Sequence, residues 1–185
     1  MDDVSKIVEV IKKKVKEADV SVAQEREINE WYRSGVLAVD WVLGGKGFPG
    51  GRVVELYGDY GSGKSYFGYK VIAEAQRDGK VGVLIDTEES YNKVLLDRAG
   101  VDTEKLIVIR GVTIEDGFEV VKEIIRSVEA PAVIVWDSLA ATPTMHEVSE
   151  GVDTRDLSRA MVVGKGLRYV VSDIAEKDCL LLILN

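Results

Sequence analysis

The chain has 185 residues, 46% of them hydrophobic and 30% charged, with a formal net charge of −8. A domain of that size buries a full hydrophobic core, and the balance excludes disordered and fibrous classes. The acidic excess argues against a diffuse electrostatic grip on nucleic acid or anionic lipid, while leaving room for a local basic groove. The single cysteine, Cys179, lies in an apolar run and cannot found a disulfide framework, so it reads as a core residue in a reducing, cytoplasmic setting. No run of about 18 apolar residues occurs, and the first residues lack the basic-then-apolar order of a secretion signal, so no membrane partner is expected.

Near the start, Val4, Ile7, Val8, Ile11 and Val15 recur at helical spacing, behind Asp2 and Asp3 and with Lys12, Lys13, Lys14 and Lys16 towards the end. That order suits the helix dipole, and the lysines read as a solvated helix face rather than a nucleic-acid patch. Residues 19–23 then alternate polar and apolar and predict a short lone strand. Such a strand needs a neighbouring chain or a sheet edge. Gly44, Gly45, Gly47, Pro49, Gly50 and Gly51 crowd a turn-rich stretch at the handover to the core.

Apolar runs follow at 53–57, 81–85, 106–109, 132–136 and 180–184, separated mostly by helix-like stretches. This is βαβ punctuation, predicting an α/β fold with a mainly parallel sheet of about five strands and flanking helices. Phe67, Val71, Ile72 and Ala75 share one helical face before Gly79; Val120, Val121, Ile124 and Ile125 share another; a last helix is expected over 154–177. Inside it Gly164 and Gly166 each cost about 1 kcal/mol against alanine, so close packing or a bend is the expected reason for them.

The segment Gly58-Asp59-Tyr60-Gly61-Ser62-Gly63-Lys64-Ser65 matches G-x-x-x-x-G-K-[ST] between a strand pattern and a helix pattern, the context that gives the motif its meaning. Its glycines let backbone N–H groups converge on phosphate oxygens at the positive end of the next helix. Lys64 is expected to reach the β- and γ-phosphates of ATP, and Ser65 to ligate Mg²⁺. The run Ala132-Val133-Ile134-Val135-Trp136-Asp137 is a buried strand ending in a carboxylate, at the edge where open α/β sheets bind ligands. Asp137 therefore reads as the second Mg²⁺ residue, with helix capping as the competing role. Trp136 reads as packing. Asp86, Glu88 and Glu89 end another strand at the same edge; any of the three could serve as the base for an attacking water, and spacing alone does not choose among them.

Taken together these blocks resemble the RecA family of recombinases. Ser34-Gly35-Val36-Leu37-Ala38-Val39-Asp40, Arg52-Val53-Val54-Glu55-Leu56-Tyr57-Gly58, Asp86-Thr87-Glu88 and Val135-Trp136-Asp137-Ser138-Leu139-Ala140 occur in that family's order. Lys64-Ser65-Tyr66-Phe67-Gly68 and the stretch from Asp156 through Asn185 are similar to its phage branch. The resemblance implies a RecA-like ATPase core over 34–185, an N-terminal oligomerisation element over 1–33, and Glu88 as the catalytic carboxylate. It also implies that the 19–23 strand joins a neighbouring protomer's sheet. A bacterial adenine-stacking tyrosine is replaced here by Leu95, and Tyr66 and Asn92 join the P-loop residues as expected nucleotide contacts. The family's γ-phosphate-sensing polar residue follows the strand that ends at Asn185, so the core is expected to be incomplete at its C-terminus.

By the same resemblance, residues 142–153 form a DNA-contacting loop, and the next helix carries Arg155, Arg159, Lys165 and Arg168 as candidate phosphate contacts. Glu147, Glu150 and Asp153 would repel a phosphate chain, and His146 reads as an exposed loop residue. The function expected is an ATP- and Mg²⁺-dependent recombinase, a DNA-dependent ATPase that assembles on single-stranded DNA as a filament and exchanges it with double-stranded DNA. Two rival readings remain: a RecA-like ATPase that controls protein assembly without DNA, and a nucleotide-binding fragment without turnover.

Overall fold

The computed structural model describes residues 3–16, 20, 28–89, 91–150 and 158–185. In chain order the elements are α1 (Asp3–Lys14), β1 (Trp31–Tyr32), α2 (Leu37–Val42), β2 (Phe48–Pro49), β3 (Arg52–Leu56), α3 (Lys64–Arg77) and β4 (Val81–Asp86). They continue with α4 (Lys93–Ala99), β5 (Leu106–Ile109), α5 (Ile114–Ser127), β6 (Ala132–Asp137), α6 (Met145–Glu150), α7 (Ser158–Glu176) and β7 (Leu180–Leu184). The strand expected over 19–23 falls outside the described residues, save for Val20.

Five strands form one sheet in the order β3-β7-β6-β4-β5, every pairing parallel. Side chains alternate across a strand, so each apolar run feeds two cores. Val133 and Val135 of β6 join Val71, Ile72 and Ala75 of α3 and Leu96 of α4 on one face. Ile134 and Trp136 join Phe118, Val121 and Ile125 of α5 and Val170 and Ile174 of α7 on the other, where Cys179 is also buried. Trp136 is fully buried against Phe118, with ring centroids 5.1 Å apart, which makes it a packing residue.

The connections explain the crevice. Helices α3 and α4 lie on one face and α5 and α7 on the other, as right-handed crossovers require when the chain first steps one way along the sheet and then reverses. Neighbouring strands β4 and β6 therefore send their connections to opposite faces, which opens a cleft at their carboxyl ends.

Besides α6, which lies inside the segment 142–153 expected to be a loop, the sequence reading missed three short elements. Strands β1 and β2 pair antiparallel, Trp31 with Pro49 and Tyr32 with Phe48. Tyr32 is buried, and its hydroxyl donates to the carbonyls of Asp178 (2.9 Å) and Ala132 (3.1 Å), fastening this ribbon to the core. Helix α2 is held at its start by Asp40, whose Oδ1 accepts from Ser34 N at 2.8 Å. Strand β3 is an edge strand, and α2 beside it exposes Leu37, Trp41 (79%) and Val42. No residue of α1 is buried, so its stripe of Val4, Ile7 and Ile11 stays exposed. Among the described residues no helix is long and apolar enough to cross a membrane.

The two glycines of α7 have different reasons. A methyl on Gly166 would land on the Phe118 ring, whereas one on Gly164 would meet only the tip of Arg168, with Nη1 at 3.7 Å. Gly166→Ala should cost about 1–3 kcal/mol through overpacking, despite better helix propensity. Gly164→Ala should gain up to about 1 kcal/mol. Urea unfolding of the two variants checks this, and equal effects at the two positions would contradict it.

Candidate functional site

Strand β3 stops at Leu56, and the next seven residues, before α3 begins at Lys64, form a loop whose start is held by Asn185. Asn185 N donates to Leu56 O (3.0 Å), Gly58 N donates to Asn185 O (3.1 Å), and Asn185 Nδ2 donates to Glu55 Oε1 (2.6 Å). Gly61 (φ 73°) and Gly63 (φ 92°) take left-handed conformations, with open space where a Cβ would stand. Gly63 caps α3 without any side-chain partner, so the first N–H groups of that helix are left facing the loop. This is the arrangement that binds phosphate oxygens. Lys64 folds over the loop, its Nζ donating to Gly58 O (2.7 Å) and Asp59 O (3.0 Å). Tyr60 at the tip is 99% exposed.

Across the cleft, the register of β4 on β6 sets Asp86 beside Asp137, 1% and 4% exposed respectively. Asp86 Oδ2 accepts from Tyr91 N at 3.2 Å. Asp137 Oδ2 is buried with no hydrogen-bond partner among the described residues. Burial pushes the Asp137 carboxyl up, with Glu88 and Asp86 adding to the rise, while the nearby Ser65 side chain and the charge of Lys64 oppose it. An orphaned carboxylate oxygen beside a serine hydroxyl is an all-oxygen donor set suited to Mg²⁺. Among the described residues no cluster of three or more His, Cys, Asp or Glu could hold a metal by itself. That fits an ion held by one or two protein oxygens together with phosphates and water, so Ser65 and Asp137 are the residues that could hold it.

The three carboxylates at the end of β4 separate by environment. Asp86 is buried, while Glu88 and Glu89 are exposed. Glu88 is tied to the end of β6: its Oε1 accepts from Ser138 Oγ at 2.9 Å. The peptide bond between Asp137 and Ser138 is cis. Beneath Glu88, Thr87 N donates to Asp137 O (2.9 Å) and Thr87 Oγ1 to Ser138 O (2.9 Å). Thr142 Oγ1 donates to the same carbonyl (2.8 Å) and accepts from Trp136 Nε1 (2.9 Å).

Other expected contacts lie elsewhere in the local structure. Asn92 caps α4, its Oδ1 accepting from Val94 N at 2.8 Å. Tyr66 donates to Arg98 O at 3.4 Å. Tyr91 packs against the core, with the Arg110 guanidinium 5.4 Å from its ring centroid. Arg155 lies outside the described residues. Lys165 and Arg168 are exposed on α7, whereas Arg159 turns its guanidinium onto Leu139 O, Ala140 O and Thr142 O and pairs with Glu147. Arg168 follows Arg159 by nine residues. That is about two and a half helical turns, so the two cations point to opposite sides of α7.

Glu147 has a role that the sequence reading missed. Thr144 N donates to Glu147 Oε2 (2.6 Å) and Glu147 N donates to Thr144 Oγ1 (3.1 Å), closing a capping box at the start of α6. The Thr-x-x-Glu spacing was the available signal.

The raised carboxyl of Asp137 makes a stability prediction. Its folded-state value lies above the unfolded one, so the native state binds more protons between the two. Stability therefore falls as pH rises through that window. Asp137→Asn removes the buried charge and should raise the unfolding free energy near pH 7 by about 0.5–2 kcal/mol, in keeping with the stability cost of functional sites. The gain should vanish below about pH 4, where the unfolded carboxyl is also protonated. Urea titrations at both pH values measure it; an equal gain at both would contradict the assignment.

The family profile described as the RecA N-terminal domain matches residues 3–185. The chain is 35% identical over 156 residues to Protein RecA of Prochlorococcus marinus (strain MIT 9303), covering 84% of this chain and 41% of that one. It is 34% identical over 163 residues to Protein RecA of Marinobacter nauticus, covering 88% and 47%. Protein RecA of Synechococcus sp. (strain WH7803) matches at 35% over 156 residues, 84% and 41%. The chain thus spans about two-fifths to one-half the length of these curated relatives. A parallel α/β core with the P-loop on its edge strand, matched by that profile over nearly its whole length, belongs to the RecA family.

Proposed function

We propose that this chain is the N-terminal and nucleotide-binding part of an ATP-dependent DNA recombinase. The observation that carries the proposal is buried Asp137, with Oδ2 orphaned and its carboxyl influenced by Ser65 and Lys64, across from a loop whose amides stand at the start of α3. Lys64 would exchange the carbonyls of Gly58 and Asp59 for β- and γ-phosphate oxygens. The loop amides from Gly58 to Ser65, including those of Asp59, Tyr60, Gly61, Ser62 and Gly63, would hold the phosphates, with Tyr66 and Asn92 bordering the nucleotide. Ser65 and Asp137 would hold Mg²⁺, which when bound offsets the charge that develops on the transferred phosphoryl group. Glu88, steadied by Ser138, would orient the attacking water and accept its proton.

The exposed apolar stripe of α1 supports self-association of a cytoplasmic protein into a filament on single-stranded DNA, with double-stranded DNA as the exchange partner. Lys165 and Arg168 are the exposed cations left for phosphate contact on α7. One observation favours the rival reading, an ATPase that controls protein assembly without DNA: Arg159 is committed to carbonyls of its own chain.

Three outcomes are expected in the full-length protein, two of them from substitutions. Glu88→Gln should lower ATP turnover by roughly 10²–10⁴-fold, the range for losing a general base, while a fluorescent ATP analogue still binds. Lys64→Ala should abolish that binding. Phosphate release and fluorescence titration measure the two effects, and full turnover in the Glu88 variant would remove Glu88 from the mechanism. Single-stranded DNA should bind with steep salt dependence and more tightly with ATP; salt-insensitive or absent binding would transfer support to the rival.

A further inference from the structure

We infer that Arg159 is a positioning residue for Glu88, acting through the turn that follows β6. This rests on the ATPase reading above and adds to it a structural support for the candidate base. Arg159 Nη2 donates to Leu139 O and Ala140 O, both at 2.7 Å, and Nη1 donates to Thr142 O at 2.9 Å. Glu147 Oε2 stands 3.4 Å from Nη1 and balances the charge. A planar guanidinium offers donors in a fixed fork, so three carbonyls of one short turn are locked in relation to each other and to α7.

That turn carries the tether of Glu88. Ser138 Oγ donates to Glu88 Oε1 at 2.9 Å and accepts from Ala141 N at 3.2 Å, an amide lying between the clamped carbonyls of Ala140 and Thr142. Thr142 further pins the turn to Ser138 O and to the Trp136 indole. On the far side Ala140 N donates to Asn185 Oδ1 at 3.0 Å, and the same asparagine holds the start of the P-loop. The hydroxyl that orients Glu88 is thus set by a turn whose carbonyl side is occupied by Arg159. A lysine would keep the charge but could not fill the three positions at once.

The test uses the full-length protein, with basal ATP turnover and hydrogen exchange of the Trp136 indole N–H as readouts. Arg159→Ala and Arg159→Lys should each lower kcat by about tenfold or more, as a small misplacement of a catalytic group does, with KM for ATP within about twofold. Indole exchange should quicken in both. Ser138→Ala, which leaves the clamp in place, should reproduce the fall in kcat without quickening exchange as much. In a Glu88→Gln background, Arg159→Ala should add less than about a twofold further loss, because both changes act at one group. An additive loss, rescue by lysine, or unchanged kcat with weakened single-stranded DNA binding would overturn the inference and make Arg159 a phosphate contact. Absence of turnover in the unaltered protein would instead defeat the ATPase reading itself.

Discussion

Two carboxylates buried side by side govern this fold's functional edge. Asp86 and Asp137 end adjacent parallel strands in register, and both are nearly inaccessible. Isolated buried charges are costly, so the structure must supply either protons or counter-charges. Asp86 receives a backbone amide from Tyr91, whereas Asp137 keeps one oxygen without a hydrogen-bond partner among the described residues and has its carboxyl pushed up. The cations nearest to hand, Lys64 and any ion held at Ser65, sit on a different strand's loop. The sheet order that puts β3 two places from β6 therefore turns an electrostatic debt in one strand into affinity for positive charge at another.

The polar side chains around that edge form a scaffold made largely of hydrogen bonds to main-chain carbonyls. Thr87 and Thr142 both serve Ser138 O, Arg159 serves three carbonyls of the next turn, and Asn185 joins that turn to the P-loop. Loops that bend sharply after a strand leave carbonyls without ladder partners, and each must find a donor. Here, apart from Thr142, the donors come from elements distant in sequence. The candidate phosphate loop, the candidate metal acid and the candidate base are consequently linked through a few hydrogen bonds, so displacement of one is felt by the others.

Much of the fold was legible because both faces of the sheet are covered. The runs at 81–85, 132–136 and 180–184 are continuous in apolar residues, since each alternate position meets either the α3 side or the α5–α7 side. The strand–glycine loop–helix unit at β3 and α3 was legible because glycine spacing and a following helix are local properties. What escaped was set by tertiary contact. Two-residue strands such as β1 and β2 carry no periodicity, and Trp31–Tyr32 is ordered by pairing with Phe48–Pro49 and by the Tyr32 hydroxyl. Arg159 looked like a phosphate ligand because sequence shows its charge but not the carbonyls it meets. Asn92, placed among nucleotide contacts, spends its side chain on a helix cap, a role that its residue type and the onset of α4 also permitted.

Charge placement on α7 bears on how DNA could be engaged. Arg159 faces the turn after β6, while Lys165 and Arg168 are exposed farther along the helix, and Lys122 and Arg126 of α5 are drawn to Asp173. A phosphate chain meeting α7 would find separated positive points rather than a continuous stripe, on a molecule whose net charge is −8. Counterion release grows with the number of phosphates neutralised together, so one copy of this surface gives a weak grip. Repetition of the same points along an assembly multiplies the contacts at high effective concentration. In that arrangement the exposed stripe of α1 and the cations of α7 would depend on each other: the self-association proposed above would supply the multivalency that a single acidic protomer lacks.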